Sequence, residues 1–323
     1  MLLDDLIEKL PPETEEAVKR TRERLNQHIR EALRQETGLR FRRMIEEDGL
    51  FGNTRTLETT NIQLRVEPGY PESIRQREPE PAQRLPALLA PWRGALAKLK
   101  EGSEQARLMF EALELEFEDL RRYENVHVAL EPMSRFAGQM LAIAGRFDFV
   151  KWILDVNEDV LGLYTIVGHQ HARVDLYWGV IGLVSGMLAT TVEDLTVVVL
   201  AHELAHAFTH LGLDIDGHCW PTEGFAHSDR GVLEGLAQYY THRVCERLTG
   251  VAPGARGAYA MLLPHQPWQY RVHETWIQQN PPEEVRLAML QARRVGPVSI
   301  AQFHTLLDAA GEILHHTTAA DTE

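Results

Sequence analysis

Two histidines and a glutamate in the C-terminal half of the chain form its most specific chemical pattern. His202, Glu203 and His206 make an HExxH sequence inside an apolar run. On an α-helix, residues four apart share one face, so both imidazoles can bind one metal ion while Glu203 reaches a water on that ion. This spacing is typical of zinc-dependent hydrolysis, in which Glu203 would be the general base.

The residues around this motif predict a helix. Thr190 and Glu193 have the spacing of a capping box, which predicts a helix start one residue after Thr190. Gly212 follows as a termination signal, and His210 just before it is expected to be a cation favoured by the helix dipole. Because buried His and Glu are costly unless they are paired or bound to metal, the position of the motif in mid-helix favours a metal site.

A catalytic zinc ion needs three protein ligands, so one more must lie elsewhere in the chain. A second helix is predicted over 232–248, with Asp229 as its N-cap. Glu234 lies in its first turn, and we assign it as the third ligand. The small residues Gly235 and Ala237 are expected to let this helix approach the HExxH helix closely.

A helical HExxH followed by a helical Glu-Gly-Leu-Ala-x-Tyr sequence, here beginning at Glu234, resembles the gluzincin group of zinc metallopeptidases. The resemblance covers roughly residues 190–248. It implies a zincin-like domain, a Zn²⁺ cofactor, and hydrolysis of a peptide or protein substrate.

Two alternatives concern the third ligand. Glu223, in Pro-Thr-Glu-Gly-Phe-Ala, is also similar to the sequence around the third ligand of several gluzincins, and it lies closer to His206. We prefer Glu234, because residues 227–231 after Glu223 have the composition of a turn. A metzincin site would need a Gly and a third His after the motif, and no Gly lies between His206 and His210.

Hydrolysis also needs a donor that stabilises the oxyanion. The sequence places Tyr240 and His242 on the helix of Glu234, and we predict a catalytic role for them. The other candidates are Tyr239, Tyr259, His265, Tyr270 and His273.

Length and composition set the expected architecture. The chain has 323 residues, of which 44% are hydrophobic, and this size favours two domains. We expect an α+β fold, with a zincin-like catalytic domain at 126–323 after a mainly helical region at 1–125. A Pro-rich linker is predicted near 68–91.

Charge and cysteine content narrow the partners and the compartment. The net charge of −14 disfavours nucleic acid as a ligand. Cys219 and Cys245 are too few for a disulfide framework, and the N-terminus lacks the pattern of a secretory signal. With no apolar stretch long enough to span a bilayer, we expect a cytoplasmic protein without a membrane partner. The oligomeric state stays open.

Further periodic segments complete the expected element order. Amphipathic helices are predicted within 12–47, a strand at 61–66, and helices at 95–123 and 133–144. Two β-like runs at 161–167 and 172–177 predict a hairpin just before the HExxH helix. In the enzymes that this chain resembles, an edge strand at this place binds extended peptide.

Two functions from other classes remain as alternatives. One is a non-peptidase zinc amidohydrolase, which would have a closed pocket instead of an open cleft. The other is a regulatory or binding protein that acts through its N-terminal helices, with the metal fold as scaffold. An intact Glu203 disfavours the scaffold, which would not need a general base.

Overall fold

The computed structural model describes residues 2–49, 52–71, 84–89, 92–116, 124–146, 149–154, 160–168 and 170–320. Within these ranges the protein is mainly helical, with a three-stranded mixed sheet and a separate two-stranded hairpin. No helix in this part of the chain is long and apolar enough to cross a membrane.

The α-helices are α1 (Leu2–Ile7), α2 (Thr14–Thr37), α3 (Arg84–Leu89), α4 (Arg93–Glu116), α5 (Glu124–Ala144), α6 (Phe149–Leu154), α7 (Trp178–Met187), α8 (Val192–Leu211), α9 (Thr222–Ala226), α10 (Arg230–Arg247), α11 (Ala255–Leu262), α12 (Trp268–Arg271), α13 (His273–Gln279), α14 (Pro282–Val295) and α15 (Ile300–Ala320). The strands are β1 (Arg42–Gly49), β2 (Gly52–Thr59), β3 (Asn61–Glu67), β4 (Gly162–Gly168) and β5 (His171–Tyr177).

Helix α2 forms the N-terminal part of the core. Its apolar stripe of Leu25, Ile29 and Leu33 is fully buried, and the helix packs against α8. Gly38 ends α2 in the left-handed region, with φ of 73°, where its N–H donates to the Arg34 carbonyl. The helical prediction for 12–47 is therefore wrong beyond Thr37, because glycine adopts this conformation without steric cost and the chain continues into β1.

The three-stranded sheet contains the predicted hairpin. Strands β4 and β5 pair antiparallel, which confirms the hairpin, and β3 pairs parallel with β5 on its other side. The turn includes Gln170 with φ of 58°, whereas His169 lies outside the described residues. Among the described strands β4 is an edge of this sheet.

The sheet and the core join the two predicted regions. Strand β3 and helix α2 both precede residue 126, yet they pair with β5 and pack on α8. The predicted boundary at 125/126 therefore does not separate two cores, because the apolar face of α2 is buried by the C-terminal region. Much of the predicted linker at 68–91 falls outside the described residues.

The helical predictions between these regions are partly correct. Helix α4 covers most of 95–123, of which 117–123 lie outside the described residues. Helix α5 begins well before the predicted start at 133, with Pro132 inside it.

A buried ionic contact ties α2 to α10. The Glu36 carboxylate is 5% exposed and accepts hydrogen bonds from Arg243 Nε, at 2.9 Å, and from Arg247 Nε. Burial by itself would raise the pKa of Glu36, but the hydrogen bonds from the two guanidinium groups outweigh burial and lower it below its usual value of 4.5.

We predict that Glu36→Gln lowers the free energy of unfolding by about 1–3 kcal/mol at pH 7, because two partly exposed guanidinium groups lose their charged acceptor. Since the folded-state pKa of Glu36 is lowered, its contribution is complete above pH 4.5 and is lost as the pH falls below that value. Urea denaturation at several pH values measures both effects. Glu23→Gln, on the exposed side of α2, is the control and should change the free energy by less than about 0.5 kcal/mol. Equal stability of wild type and Glu36→Gln at pH 7 would show that apolar packing alone holds α2 on α10.

Candidate metal centre

Helix α8 holds the HExxH motif in the protein interior. Its N-cap is Thr191, whose Oγ1 accepts a hydrogen bond of 3.0 Å from the Asp194 backbone N–H. The capping box predicted from Thr190 and Glu193 is thus wrong by one residue, because the adjacent Thr191 and Asp194 fit the same spacing. The predicted end is confirmed at Gly212, and every residue from Leu195 to Leu211 is buried.

Helix α10 brings a carboxylate to the two imidazoles. Asp229 caps this helix by accepting a hydrogen bond of 2.8 Å from the Gly231 N–H, and Glu234 lies one turn further on. The Glu234 Oε2 atom is 3.3 Å from the Nε2 atom of His202 and 3.3 Å from that of His206. The two Nε2 atoms are 3.2 Å apart.

These distances fit a tetrahedral metal ion. Zinc bonds of about 2.0–2.1 Å to nitrogen and oxygen require ligand atoms roughly 3.3–3.4 Å apart in a tetrahedron. The three donor atoms form a triangle of nearly this size, and the residues that carry them are each at most 7% exposed. Two imidazoles and one carboxylate are also a known ligand set of catalytic zinc, with a fourth position left for water.

The electrostatics of Glu234 suit a cation. Burial would raise the pKa of this carboxyl group, but the imidazoles of His206 and His202 outweigh burial and hold the pKa well below its usual range. Arg230 Nε lies 3.5 Å from the second oxygen, Oε1. The carboxylate is therefore ionised, and Oε2 faces the two imidazole nitrogens.

The alternative ligand Glu223 lies elsewhere. Its side chain is exposed on the short helix α9. In the described part of the chain, the only group of His, Cys, Asp or Glu with metal-ligand spacing is His202, His206 and Glu234. The structure thus brings together the three residues that we assigned as ligands from the sequence, and it leaves Glu223 outside their cluster.

Gly235 has a different packing role from the one expected. A Cβ atom at this position would lie 2.5 Å from the Trp276 ring and 2.6 Å from the Val272 side chain. The close approach that Gly235 permits is therefore to the segment carrying Trp276, not to the HExxH helix. The expectation for Gly235 was wrong because its position on α10 points away from α8.

Glu203 lies beside a small pocket and beside the edge strand. The pocket, of about 430 Å³ including the part open to solvent, lies between the start of β4, α8, α10 and the 262–270 segment, and both His202 and Glu203 line it. A Cβ atom at Gly162, the first residue of β4, would be 2.8 Å from the Glu203 Cγ and Oε1 atoms. The missing side chain of Gly162 thus lets β4 run directly past the candidate general base.

His210 is not the cation expected from the sequence. It is fully buried, and its Nδ1 lies 2.8 Å from the Tyr164 hydroxyl while its Nε2 lies 3.2 Å from Thr222 Oγ1. Burial lowers the pKa of His210 to about 4, so the ring is neutral at pH 7. The Tyr164 ring also lies nearly parallel to the ring of His206, with centroids 6.1 Å apart, so Tyr164 lies between His210 and one of the proposed metal ligands.

Tyr240 and His242 do not line the pocket with His202 and Glu203. Tyr240 is six residues after Glu234, which turns it about 120° around the helix, and its buried hydroxyl lies on the side of Arg293. His242 lies about 12 Å further along the axis than Glu234 and contacts Tyr259. The structure therefore does not bring these two predicted catalytic residues to the metal centre.

Tyr270, one of the oxyanion-donor candidates from the sequence, lies beside the metal-ligand cluster. It lines the pocket, and its ring stacks on His202 with centroids 5.6 Å apart and an angle of 22°. The Tyr270 hydroxyl accepts a hydrogen bond of 3.4 Å from Arg230. The sequence offered Tyr270 only as one of several aromatic candidates, because it lies on a separate short helix with no motif of its own.

Gln238 is a polar pocket residue that we did not single out from the sequence. It follows Glu234 by four residues, so both side chains leave the same face of α10. The same i, i+4 spacing that relates the two histidines could have identified it.

We predict that purified protein binds close to one zinc ion per chain, and that His202→Ala or His206→Ala abolishes this binding. Glu234→Ala should weaken zinc binding by more than about 100-fold, beyond the effect of outer-shell changes, whereas Glu223→Ala should leave it unchanged. Elemental analysis and competition with a chelator measure both quantities, with circular dichroism as the check of folding. Wild-type protein that stays free of metal after zinc loading would overturn the assignment, and the reverse result for the two glutamates would move the site to Glu223.

No protein-family model, curated protein or solved structure matches this chain. The interpretation of the metal centre therefore rests on the geometry and chemistry of its own residues. The gluzincin resemblance of residues 190–248 stays a prediction.

Proposed function

We propose that this protein is a zinc-dependent metallopeptidase of the gluzincin type, with a zincin-like catalytic fold. The observation that carries the proposal is the triangle formed by the donor atoms of His202, His206 and Glu234, in which His202 lines a pocket together with Glu203. A buried ionisable cluster of this kind is costly to a fold, and its position at a pocket favours catalysis over a structural role.

The residues of the chain have complementary roles in this proposal. Zinc held by the three ligands would polarise the substrate carbonyl and lower the pKa of a water molecule. The Glu203 carboxylate accepts a proton from that water and later donates it to the leaving amine. The Tyr270 hydroxyl donates a hydrogen bond to the carbonyl oxygen as negative charge develops on it.

The edge strand supports a peptide as the substrate. An extended peptide can add to an open strand edge through backbone hydrogen bonds, which gives affinity with little sequence selectivity. Strand β4 is such an edge among the described strands, and its first residue, Gly162, lies against Glu203. A peptide paired with β4 would therefore pass the general base.

The burial of the metal ligands favours a second candidate function. Because His202, His206 and Glu234 are each at most 7% exposed and the pocket is small, a hydrolase of small amides fits the same residues. The size of the substrates that the protein accepts distinguishes the two.

A cytoplasmic location is part of the same proposal. Cys219 and Cys245 are both free thiols, as expected in a reducing compartment. The net charge of −14 supports a peptide or protein partner over nucleic acid.

We predict that Glu203→Gln keeps zinc and the fold but lowers the rate of hydrolysis by about 10² to 10⁴, because an amide cannot accept the proton of water. Cleavage of a proteome-derived peptide library, followed by mass spectrometry, compares the zinc-loaded wild type with the variant. If wild type cleaves nothing above the background of Glu203→Gln, the peptidase proposal fails. If the wild-type protein hydrolyses N-acyl amino acid amides but no longer peptide, the small-amide function replaces the peptidase proposal.

We predict that Tyr270→Phe lowers kcat by about 10² to 10³ with zinc retained, the range expected for loss of one oxyanion donor. Tyr240→Phe tests the expectation from the sequence, and its kcat should stay within about twofold of wild type because its hydroxyl lies away from the pocket. Steady-state kinetics with one peptide from the library measure both variants. If kcat falls strongly in Tyr240→Phe and stays at the wild-type value in Tyr270→Phe, Tyr240 is the oxyanion donor instead of Tyr270.

A further inference from the structure

The pocket beside Glu203 has an apolar wall. The apolar residues that line it include Val160, Leu161, Val198, Val199 and Leu262. Among its described lining residues, Glu203 is the only acidic side chain and none is Lys or Arg. A charged side chain entering this pocket would therefore lose its hydration. The groups of opposite charge that it could reach are Glu203 for a cation and the proposed metal ion at His202 for an anion, and the reaction needs both.

One side-chain amide that lines the pocket, that of Gln238, makes only part of its possible hydrogen bonds. Gln238 is 2% exposed, and its Nε2 donates a hydrogen bond of 3.0 Å to Gln266 Oε1. Its own carbonyl oxygen, Oε1, is buried and has no hydrogen-bond partner in the described part of the chain. Both glutamines line the pocket. A buried acceptor of this kind is unfavourable unless a ligand or water supplies a donor.

We propose that this pocket selects a tyrosine side chain of the substrate, next to the bond that is cleaved. The inference rests on the proposed peptidase function. The aromatic ring contacts the apolar wall. The phenol hydroxyl donates a hydrogen bond to Gln238 Oε1, once rotation of the Gln238 side chain turns this buried oxygen toward the ring.

A hydroxyl group suits this position better than other polar groups. The two ends of a glutamine amide can exchange places, so the group that Gln238 presents is either a carbonyl oxygen or an NH₂. A phenol hydroxyl can donate to the first and accept from the second, whereas the indole N–H of tryptophan can only donate. Phenylalanine fits the wall but leaves Gln238 unsatisfied, and a basic side chain pairs with Glu203 and occupies the general base.

The first experiment measures kcat/KM for matched peptides that differ only in the residue flanking the cleaved bond, tested on each side of that bond. The peptide with Tyr should exceed the one with Phe by about tenfold, the gain from one neutral hydrogen bond. Peptides with Glu or Lys should be slower by at least about 100-fold. Gln238→Met, which keeps the side-chain volume and removes the amide, should abolish the preference of Tyr over Phe because the acceptor for the phenol hydroxyl is lost. The control is Gln105→Met, on the exposed part of α4.

A binding experiment separates failure of this inference from failure of the peptidase proposal. Calorimetry measures the affinity of zinc-loaded Glu203→Gln protein for N-acetyl-tyrosinamide and for N-acetyl-phenylalaninamide. This measurement does not depend on turnover. If no peptide is cleaved but the tyrosine amide binds about tenfold more tightly and Gln238→Met removes this difference, the pocket stands and the peptidase proposal fails.

Other outcomes overturn the pocket assignment. These are cleavage of the Glu or Lys peptides at the rate of the Tyr peptide, a Tyr preference that survives Gln238→Met, or equal binding of the two amides. If Gln238→Met does not fold, as judged by thermal unfolding, Gln266→Met is the second variant. It should also reduce the Tyr preference, because Gln266 fixes the orientation of the Gln238 amide.

Discussion

The ionised Glu234 carboxylate in an apolar interior is the constraint on which the arrangement of α8 and α10 depends. A buried carboxylate must be compensated by nearby positive charge or by donors. Here the compensation comes from two imidazole nitrogens at 3.3 Å and from Arg230 on the outer oxygen. Because the imidazoles belong to one helix and the carboxylate to another, the contact fixes how these two helices face each other. A divalent cation between the donor atoms of His202, His206 and Glu234 would bind all three at once. The pair of helices therefore supports the metal hypothesis more strongly than the HExxH sequence alone.

The residues around this centre come from distant parts of the chain. Strand β4 runs beside Glu203, and the 262–270 segment closes the pocket on another side. On the far side of α8, the apolar stripe of α2 completes the burial of that helix. The N-terminal region is therefore part of the support of the site, which weakens the idea that it acts as a separate regulatory unit with the metal fold as scaffold.

Local sequence patterns predicted the parts of the structure that local interactions determine. The helix around HExxH, the helix of Glu234 and the hairpin before them were found because periodicity, caps and turn residues act within a few positions. The predicted cap at Thr190 missed by one residue because two neighbouring threonines offer the same spacing. Pairing of β3 with β5, across about 100 residues, has no local signal, so the sequence did not predict that residues before 126 share a sheet with residues after it. Tyr270 and Gly162 reach the site only through such distant packing, whereas the rotation of Tyr240 away from Glu234 follows from helix geometry alone.

The order of these elements along the chain has a consequence for biosynthesis. Helix α2 and strand β3 are made first, but α8, which covers the apolar face of α2, and β5, which pairs with β3, follow more than 100 residues later. At about 5–20 residues per second, the ribosome takes roughly 10–35 seconds to extend the chain from the end of α2 to the end of α8. During this interval the stripe of Leu25, Ile29 and Leu33 and the edge of β3 lack their native partners in the nascent chain. The yield of folded protein in a cell therefore depends on the speed of translation and on chaperones that bind exposed apolar segments.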